Sequence, residues 1–225
     1  MTQLFTVHAF KLISLRLMFL ACVLAFNSGS LSAQGIVVDP EPPKVSYEMD
    51  SQFRDLIDLS TRQVLATAQV NDNGDAWQLF RRLRPVIRDA LGTQGYFSPT
   101  IQRLVDEQIP EDQAPELKIK VEPGPQSRIV SVDIQFDGEI NKEEFTARRE
   151  RLKTLWLLGV NQPFNQAEWS ASKDTLLRDL LAKDFAAATL SESLANVDPE
   201  KNTVELSVVY DSGPVFTFGD LQIQG

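Results

Sequence analysis

A Gly-Pro pair followed by an alternating apolar run occurs twice in this sequence, and the two copies constrain what it can fold into. Residues 124–138 read GPQSRIVSVDIQFDG and residues 213–225 read GPVFTFGDLQIQG. The matched points lie 213 − 124 = 89 and 225 − 138 = 87 residues apart. Upstream of each pair is another alternating stretch, PELKIKVEP (115–123) or NTVELSVVYDS (202–212). Ahead of each of those comes a segment rich in Leu and aromatics at helical spacing. A fixed period of this length means one supersecondary unit made more than once. Each unit is expected to run strand–helix–helix–strand–strand over roughly 85–90 residues, near the lower limit for an autonomous domain. The simplest α+β arrangement is a three-stranded sheet with two helices on one face, which buries both helix stripes and one strand face.

Residue by residue, VSYEM (45–49) is the expected first strand, and Asp50 the N-cap of a helix carrying Phe53, Leu56, Ile57, Val64 and Leu65. NDNGD (71–75) is a loop, with Asp75 as the cap of a second helix whose stripe is Ala76, Phe80, Leu83, Ile87 and Leu91. Pro85 is expected to kink or divide that helix. Gly95 ends it, and YFSPTIQRLV (96–105) follows as a strand. In the second unit, Asn141 and Glu144 stand at capping-box spacing ahead of a helix with Phe145, Leu152, Leu155 and Trp156 inward, stopped by Gly159. Asn165 and Glu168 repeat the spacing before Trp169, Leu176, Leu177, Leu180 and Leu181. A weak strand near 187–195, the turn 197–202 and the strand 203–209 complete the unit. Leu83, Ile87, Trp156 and Leu180 are the expected core anchors.

The first 33 residues stand apart. They hold no acidic residue and two basic ones, Lys11 and Arg16, then the apolar run LMFLACVLAF (17–26) and the small polar stretch NSGSLSA (27–33). That order predicts a secretory signal peptide cleaved after Ala33. Its removal takes Cys22 and His8, the only cysteine and histidine, so no thiol, Cys/His metal site or Ser-His-Asp triad can be built from the remainder. Acid–base chemistry by paired carboxylates remains open in principle, and no spacing among the acidic residues singles out a pair. No cofactor is expected, and the chain is expected not to be an enzyme. The whole chain carries 22 basic and 31 acidic residues. Without residues 1–33 it holds 22 − 2 = 20 basic and 31 acidic, a formal charge of −11. Such a balance argues against a nucleic-acid partner.

The tandem order behind a signal peptide resembles the POTRA (polypeptide-transport-associated) domains of bacterial outer-membrane assembly factors, most of all the TamA-like component of the translocation and assembly module. The residues that carry the likeness are LGTQGYFSPTI (91–101), VEPGP (121–125), NQPFNQAEWSASKDTLLRDLLAKDF (161–185) and YDSGPVFTFGDLQIQG (210–225). One departure is Asp184-Phe185, where the family has a glycine-aromatic pair. The resemblance implies a mixed sheet per domain, with bounds of 1–33 for the signal peptide, 34–43 for a Pro-rich lead-in, 44–125 and 126–214 for two domains, and 215–225 for the first strand of a truncated third. It further implies attachment to a C-terminal outer-membrane β-barrel absent from this sequence. The expected place is the periplasmic face of the outer membrane. Unfolded outer-membrane proteins are the implied clients, and the implied partner is a large periplasm-spanning protein of the TamB-like kind.

Domains of this kind can take an extended polypeptide by strand addition at a sheet edge. Two edges are candidates. Around Ile101 and Arg103, Pro99 marks an edge strand, although proline also guards an edge against pairing. Around Thr189, Ser191 and Ser193, the stretch AAATLSESLA (186–195) has no proline and small polar residues that fix register weakly. A third candidate surface is the helical sector shared by Trp77, Arg81, Arg84 and Arg88, where Arg81 can also lie on Trp77. Two other classes compete: a structural stalk without clients, and a secreted carboxylate-dependent hydrolase, which needs a cleft with opposed carboxylates.

Overall fold

Alternating apolar residues produce the strands where the period predicts them. The computed structural model describes residues 42–104 and 116–216. In the first domain, β1 (Val45–Glu48) is followed by α1 (Arg54–Ala66), α2 (Asn73–Thr93), β2 (Thr100–Leu104) and β3 (Leu117–Glu122). The second repeats the order with β4 (Arg128–Asp137), α3 (Thr146–Thr154), α4 (Gln166–Ala182), β5 (Thr189–Asp198) and β6 (Thr203–Asp211). The sheets are ordered β1-β3-β2 and β4-β6-β5. In each, the last strand is central, parallel to the first and antiparallel to the second. The two sheets are separate, mixed and three-stranded, as expected.

The repeat is visible in backbone conformation as well as in sequence. Gly95 has φ +86° and Gly124 φ +74°, and 89 residues later Asp184 has φ 66° and Gly213 φ +60°. Asp184, the departure from a glycine, therefore keeps the left-handed turn a glycine would make. Aspartate tolerates that region better than most side chains. The buried Phe185 follows it, so the helix-to-strand turn survives the substitution.

Helix packing follows the expected stripes with several corrections. Ala76, Leu79, Phe80, Leu83, Ile87 and Leu91 all point into the first core. The N-cap of α2 is Asp72, whose Oδ1 accepts from the Asp75 N–H at 2.8 Å, rather than Asp75. Asp75 accepts instead from Asn71 N–H, so both carboxylates secure the turn. Pro85 does not divide α2, which runs unbroken over 21 residues. Pro85 and Arg81, whose carbonyl loses its donor, are both exposed, on the side of α2 opposite its buried stripe. The segment 96–99 is not strand: β2 begins only after Pro99.

In the second domain, Asn165 caps α4 by accepting from the N–H groups of Ala167 and Glu168. The Asn141–Glu144 capping box does not form. Two short 3₁₀ turns, Glu139–Asn141 and Glu143–Phe145, take its place, because Ile140 must turn inward to be buried. Its N–H donates to Ser212 Oγ at 3.1 Å. Helix α3 ends at Thr154, five residues before Gly159, so that Leu158 can drop into the core. Trp156 lies beyond the helix and is only partly buried, its ring edge-on to Trp169 at 5.6 Å. Leu181 is exposed on the far side of α4. Residues 215 and 216 carry no strand, and the rest of the expected third-domain strand lies outside the described residues, as do the expected signal peptide (1–33) and residues 34–41.

A joint between the domains is the feature sequence reasoning did not foresee. After Gly95, Tyr96 turns back onto Phe53 of the first core at 5.1 Å, while Phe97 packs into the second core against Phe164 at 5.6 Å. Gly95 C=O accepts from Ser127 N–H at 2.8 Å, and Gln94 C=O accepts from Gln126 Nε2 at 2.8 Å. Asn165 Nδ2 donates to Gln94 Oε1, and Ser98 Oγ donates to the Pro199 carbonyl. A Cβ on Gly95 would stand 2.5 Å from the carbonyl oxygen of Phe164. Only glycine allows this approach.

Two sets of variants test the packing. Leu83→Ala and Leu180→Ala, both fully buried, should each lose about 2–5 kcal/mol in urea titrations, whereas Leu181→Ala should stay within about 0.5 kcal/mol of the parent. At the joint, Gly95→Ala should lose at least about 1–2 kcal/mol through left-handed strain alone and broaden the small-angle scattering profile. Gly92→Ala should instead hold or raise stability, because it sits within α2 and its Cβ would meet Phe97 at an ordinary 3.6 Å. Equal behaviour of the two glycine variants would contradict the joint.

Candidate functional site: the open sheet edges

Backbone direction decides which residues an edge offers. Residues on one face of a strand send their N–H and C=O groups to the same side, and their neighbours send them to the other. Arg128 N–H donates to Asn202 C=O, and Ser212 N–H donates to Asp137 C=O. Even-numbered residues of β6 therefore turn toward β4, and odd-numbered ones toward β5. The β5 residues opposite those odd positions, Thr189, Glu192, Leu194, Asn196 and Asp198, spend their backbone groups on β6. Ser193, Ala195 and Val197 direct theirs to the free edge.

This sorts the sequence-predicted residues. Thr189, Ser191 and Ser193 are all exposed on the edge strand β5. Ser193 alone of the three combines exposure with edge-facing backbone. Thr189 is paired to Asp211, so a proline there would break the sheet itself rather than the edge. Ser191 is the extra residue of a β-bulge between Leu190 and Glu192, a device that bends an edge strand. Ala195, inside the expected edge stretch but not singled out, and Val197, beyond it, also face the free edge. Their alternation with the β6-facing residues was the available signal.

The flank of this edge is built by Lys173 of α4. Its ammonium donates to Ser193 Oγ at 3.0 Å and lies 4.6 Å from the Trp169 ring centroid. Burial lowers the Lys173 pKa, with the nearby Asp174 pulling it back up. Tyr210 from the central strand donates to the Lys173 carbonyl, and burial raises the phenol well above its usual range. Lys173 thus roofs the helix side of Ser193 while the backbone beyond remains exposed.

In the first domain the same parity holds. Leu117 N–H donates to Lys44 C=O, so odd residues of β3 face β1, and Ile101 and Arg103 of β2 direct their backbone to the free edge. Ile101 is buried, and the Arg103 guanidinium donates to Asn73 Oδ1 at 2.9 Å, tied to the start of α2. This edge is short, and Pro99 stands at its beginning.

Trp77, Arg81, Arg84 and Arg88 are exposed along α2, as their spacing implies. Trp77 packs its ring against Phe80 at 5.5 Å. A separate cleft of about 540 Å³ opens at the joint, with Asp55 its only carboxylate beside Gln52, Phe53, Leu56, Gln94, Tyr96 and Gln126. Opposed carboxylates of the kind a hydrolase needs are not in it. No cluster of metal-ligating side chains occurs among the described residues, and no helix among them is long and apolar enough to cross a membrane.

No protein-family model and no curated protein matches the sequence. Solved structures do resemble it. The POTRA3-5 domains of BamA from Haemophilus influenzae match with a TM-score of 0.38 at 16% identity, over 78% of this chain and 67% of that one. The single POTRA4 domain of the same protein matches with a TM-score of 0.32 at 20% identity, over 41% of this chain and 98% of that one. POTRA1-3 of the periplasmic domain of Omp85 from Anabaena match with a TM-score of 0.33 at 11% identity, over 76% and 65%.

Proposed function

We propose that this chain is the periplasmic POTRA region of an outer-membrane β-barrel assembly or secretion factor, nearest in kind to the TamA-like component of the translocation and assembly module. It is a non-enzymatic module that docks unfolded barrel strands for insertion or secretion. The observation that carries this reading is the free edge of β5, where Ser193, Ala195 and Val197 turn backbone donors and acceptors away from β6, Ser193 exposed and the other two half-buried. Barrel clients share alternating strands rather than sequences, so a general receptor has to recognise backbone. The export-type leader fits a periplasmic post. The Trp77–Arg88 face of α2 is the surface left for the large periplasm-spanning partner.

Amide exchange on addition of an unfolded outer-membrane barrel protein tests the docking. Exchange along residues 189–198 should slow, and Ser193→Pro, which removes an edge-facing donor without costing a bond to β6, should abolish that protection while circular dichroism stays unchanged. If exchange along β5 is indifferent to the client, the module is a passive stalk.

A further inference from the structure

One flank of α2 carries cations that nothing answers. Trp77, Arg81, Arg84 and Arg88 fall within about 60° of the helix circumference, and the three arginines span about 10 Å of its length. All four are exposed, Trp77 by 48%, with its ring held against Phe80 at 5.5 Å. Among the described residues no hydrogen bond or ion pair engages Arg81, Arg84 or Arg88. Two neighbouring arginines fix where this ridge lies. Arg82 donates to Thr67 Oγ1 at the end of α1, and Arg103 of β2 donates to Asn73 Oδ1. The ridge therefore sits on the side of α2 turned toward β2, away from α1. The helix's own carboxylates, Asp89 and Asp75, lie on its crest and on its α1 side.

The repeat supplies a control within the molecule. At the matched positions 89 residues on, α4 has Gln166, Ser170, Lys173 and Leu177. Only one of these is cationic, and Lys173 is spent on Ser193 and the Trp169 ring. The fold thus forms without an arginine ridge, and like charges held together on one flank cost stability. Planar guanidinium groups in a row beside an exposed tryptophan suit carboxylates gathered around an apolar anchor. Position on the helix selects the partner's shape. A planar membrane would rest on the crest of α2, which holds Gln78, Pro85 and Asp89, whereas a rod lies along a flank. Spacing selects its conformation. Successive arginines stand about 5 Å apart, the interval at which another helix presents every third or fourth side chain. Alternate residues of an extended chain are about 6.7 Å apart and fall out of step.

We propose that the ridge from Trp77 to Arg88 docks an acidic helix lying antiparallel to α2. Its carboxylates at i, i+4 and i+7 face Arg88, Arg84 and Arg81, and an aliphatic side chain at i+11 covers Trp77. Antiparallel packing sets those carboxylates toward the partner's N-terminal end, where the helix dipole favours negative charge. This docking rests on the reading of the α2 face as the partner's surface and gives that partner a chemistry. Client docking at β5 is independent of it and is decided by amide exchange there.

The test is a fluorescence-anisotropy titration of a labelled, alanine-rich helical peptide with glutamate at i, i+4 and i+7 and leucine at i+11. Arg84→Glu should weaken binding about tenfold or more, and arginine in place of the peptide's i+4 glutamate should restore binding to that variant alone. Arg82→Glu, which changes the net charge equally on the far flank, should leave the affinity within about twofold at physiological salt. A peptide of the same composition with its glutamates dispersed around the helix should bind at least about tenfold more weakly, a comparison that needs no variant of the chain. Absence of binding, equal binding of the dispersed peptide, or equal loss with Arg82→Glu and Arg84→Glu would overturn the proposal. Adsorption to phosphatidylglycerol vesicles that Arg84→Glu abolishes, without binding of the peptide, would assign the ridge to a membrane and overturn it equally. If the peptide fails while β5 still gains protection from an unfolded barrel protein, the ridge assignment falls and the client reading stands.

Discussion

Every backbone group of a central strand in a three-stranded sheet is spent on its two neighbours, and the neighbours are left with one open side each. In this chain β6 gives its even-numbered residues to β4 and its odd-numbered ones to β5, and β3 divides itself between β1 and β2 in the same way. Helices cover one face of each sheet but do nothing for its margins. Unpaired margins invite association, and natural sheets normally blunt them. The surface chemistry of this protein is therefore a matter of how each margin is treated.

The treatments differ from strand to strand. β2 is short, starts after a proline, and has Arg103 drawn back onto Asn73. β4 is closed at its beginning by Asn161–Phe164 and left bare after Val132. β5 is bent by the bulge at Ser191 and roofed on one side by Lys173, yet it keeps an exposed run of backbone. A bulge twists a strand without removing its donors, so it discourages a flat partner of indefinite length more than a short one. Proline removes the donor outright. The second domain uses the milder device at β5, and the first the harsher one at β2.

Much of the fold was legible because local and tertiary signals agreed. Asn165 has an oxygen at the right distance from two free N–H groups, and the Leu stripe of α2 repeats every three to four residues. The failures occur where a tertiary demand overrode a local one. Pro85 reads as a break, but both flanking turns are pinned by buried side chains. Asn141 and Glu144 have cap spacing, but burying Ile140 takes the same residues for a turn. Trp156 was placed on a helix that ends earlier so that Leu158 can be buried. At the site, exposure of Thr189, Ser191 and Ser193 was correct from composition, whereas which of them faces the margin depended on a bulge no local pattern announces. Phe97 was the least readable residue, because its packing partner lies in the other domain.

That last residue has a consequence for the order of assembly. Phe97 is covalently part of the first domain but packs with the second, and Phe164 comes 164 − 97 = 67 residues later. During synthesis or export, which deliver the N-terminal end first, the first domain can close around Phe53 and Tyr96 while Phe97 still projects uncovered from its end. The second domain then condenses on an aromatic nucleus that its predecessor already holds in place. Folding along the chain is thereby given a direction, with the first unit presenting the seed on which the second one forms.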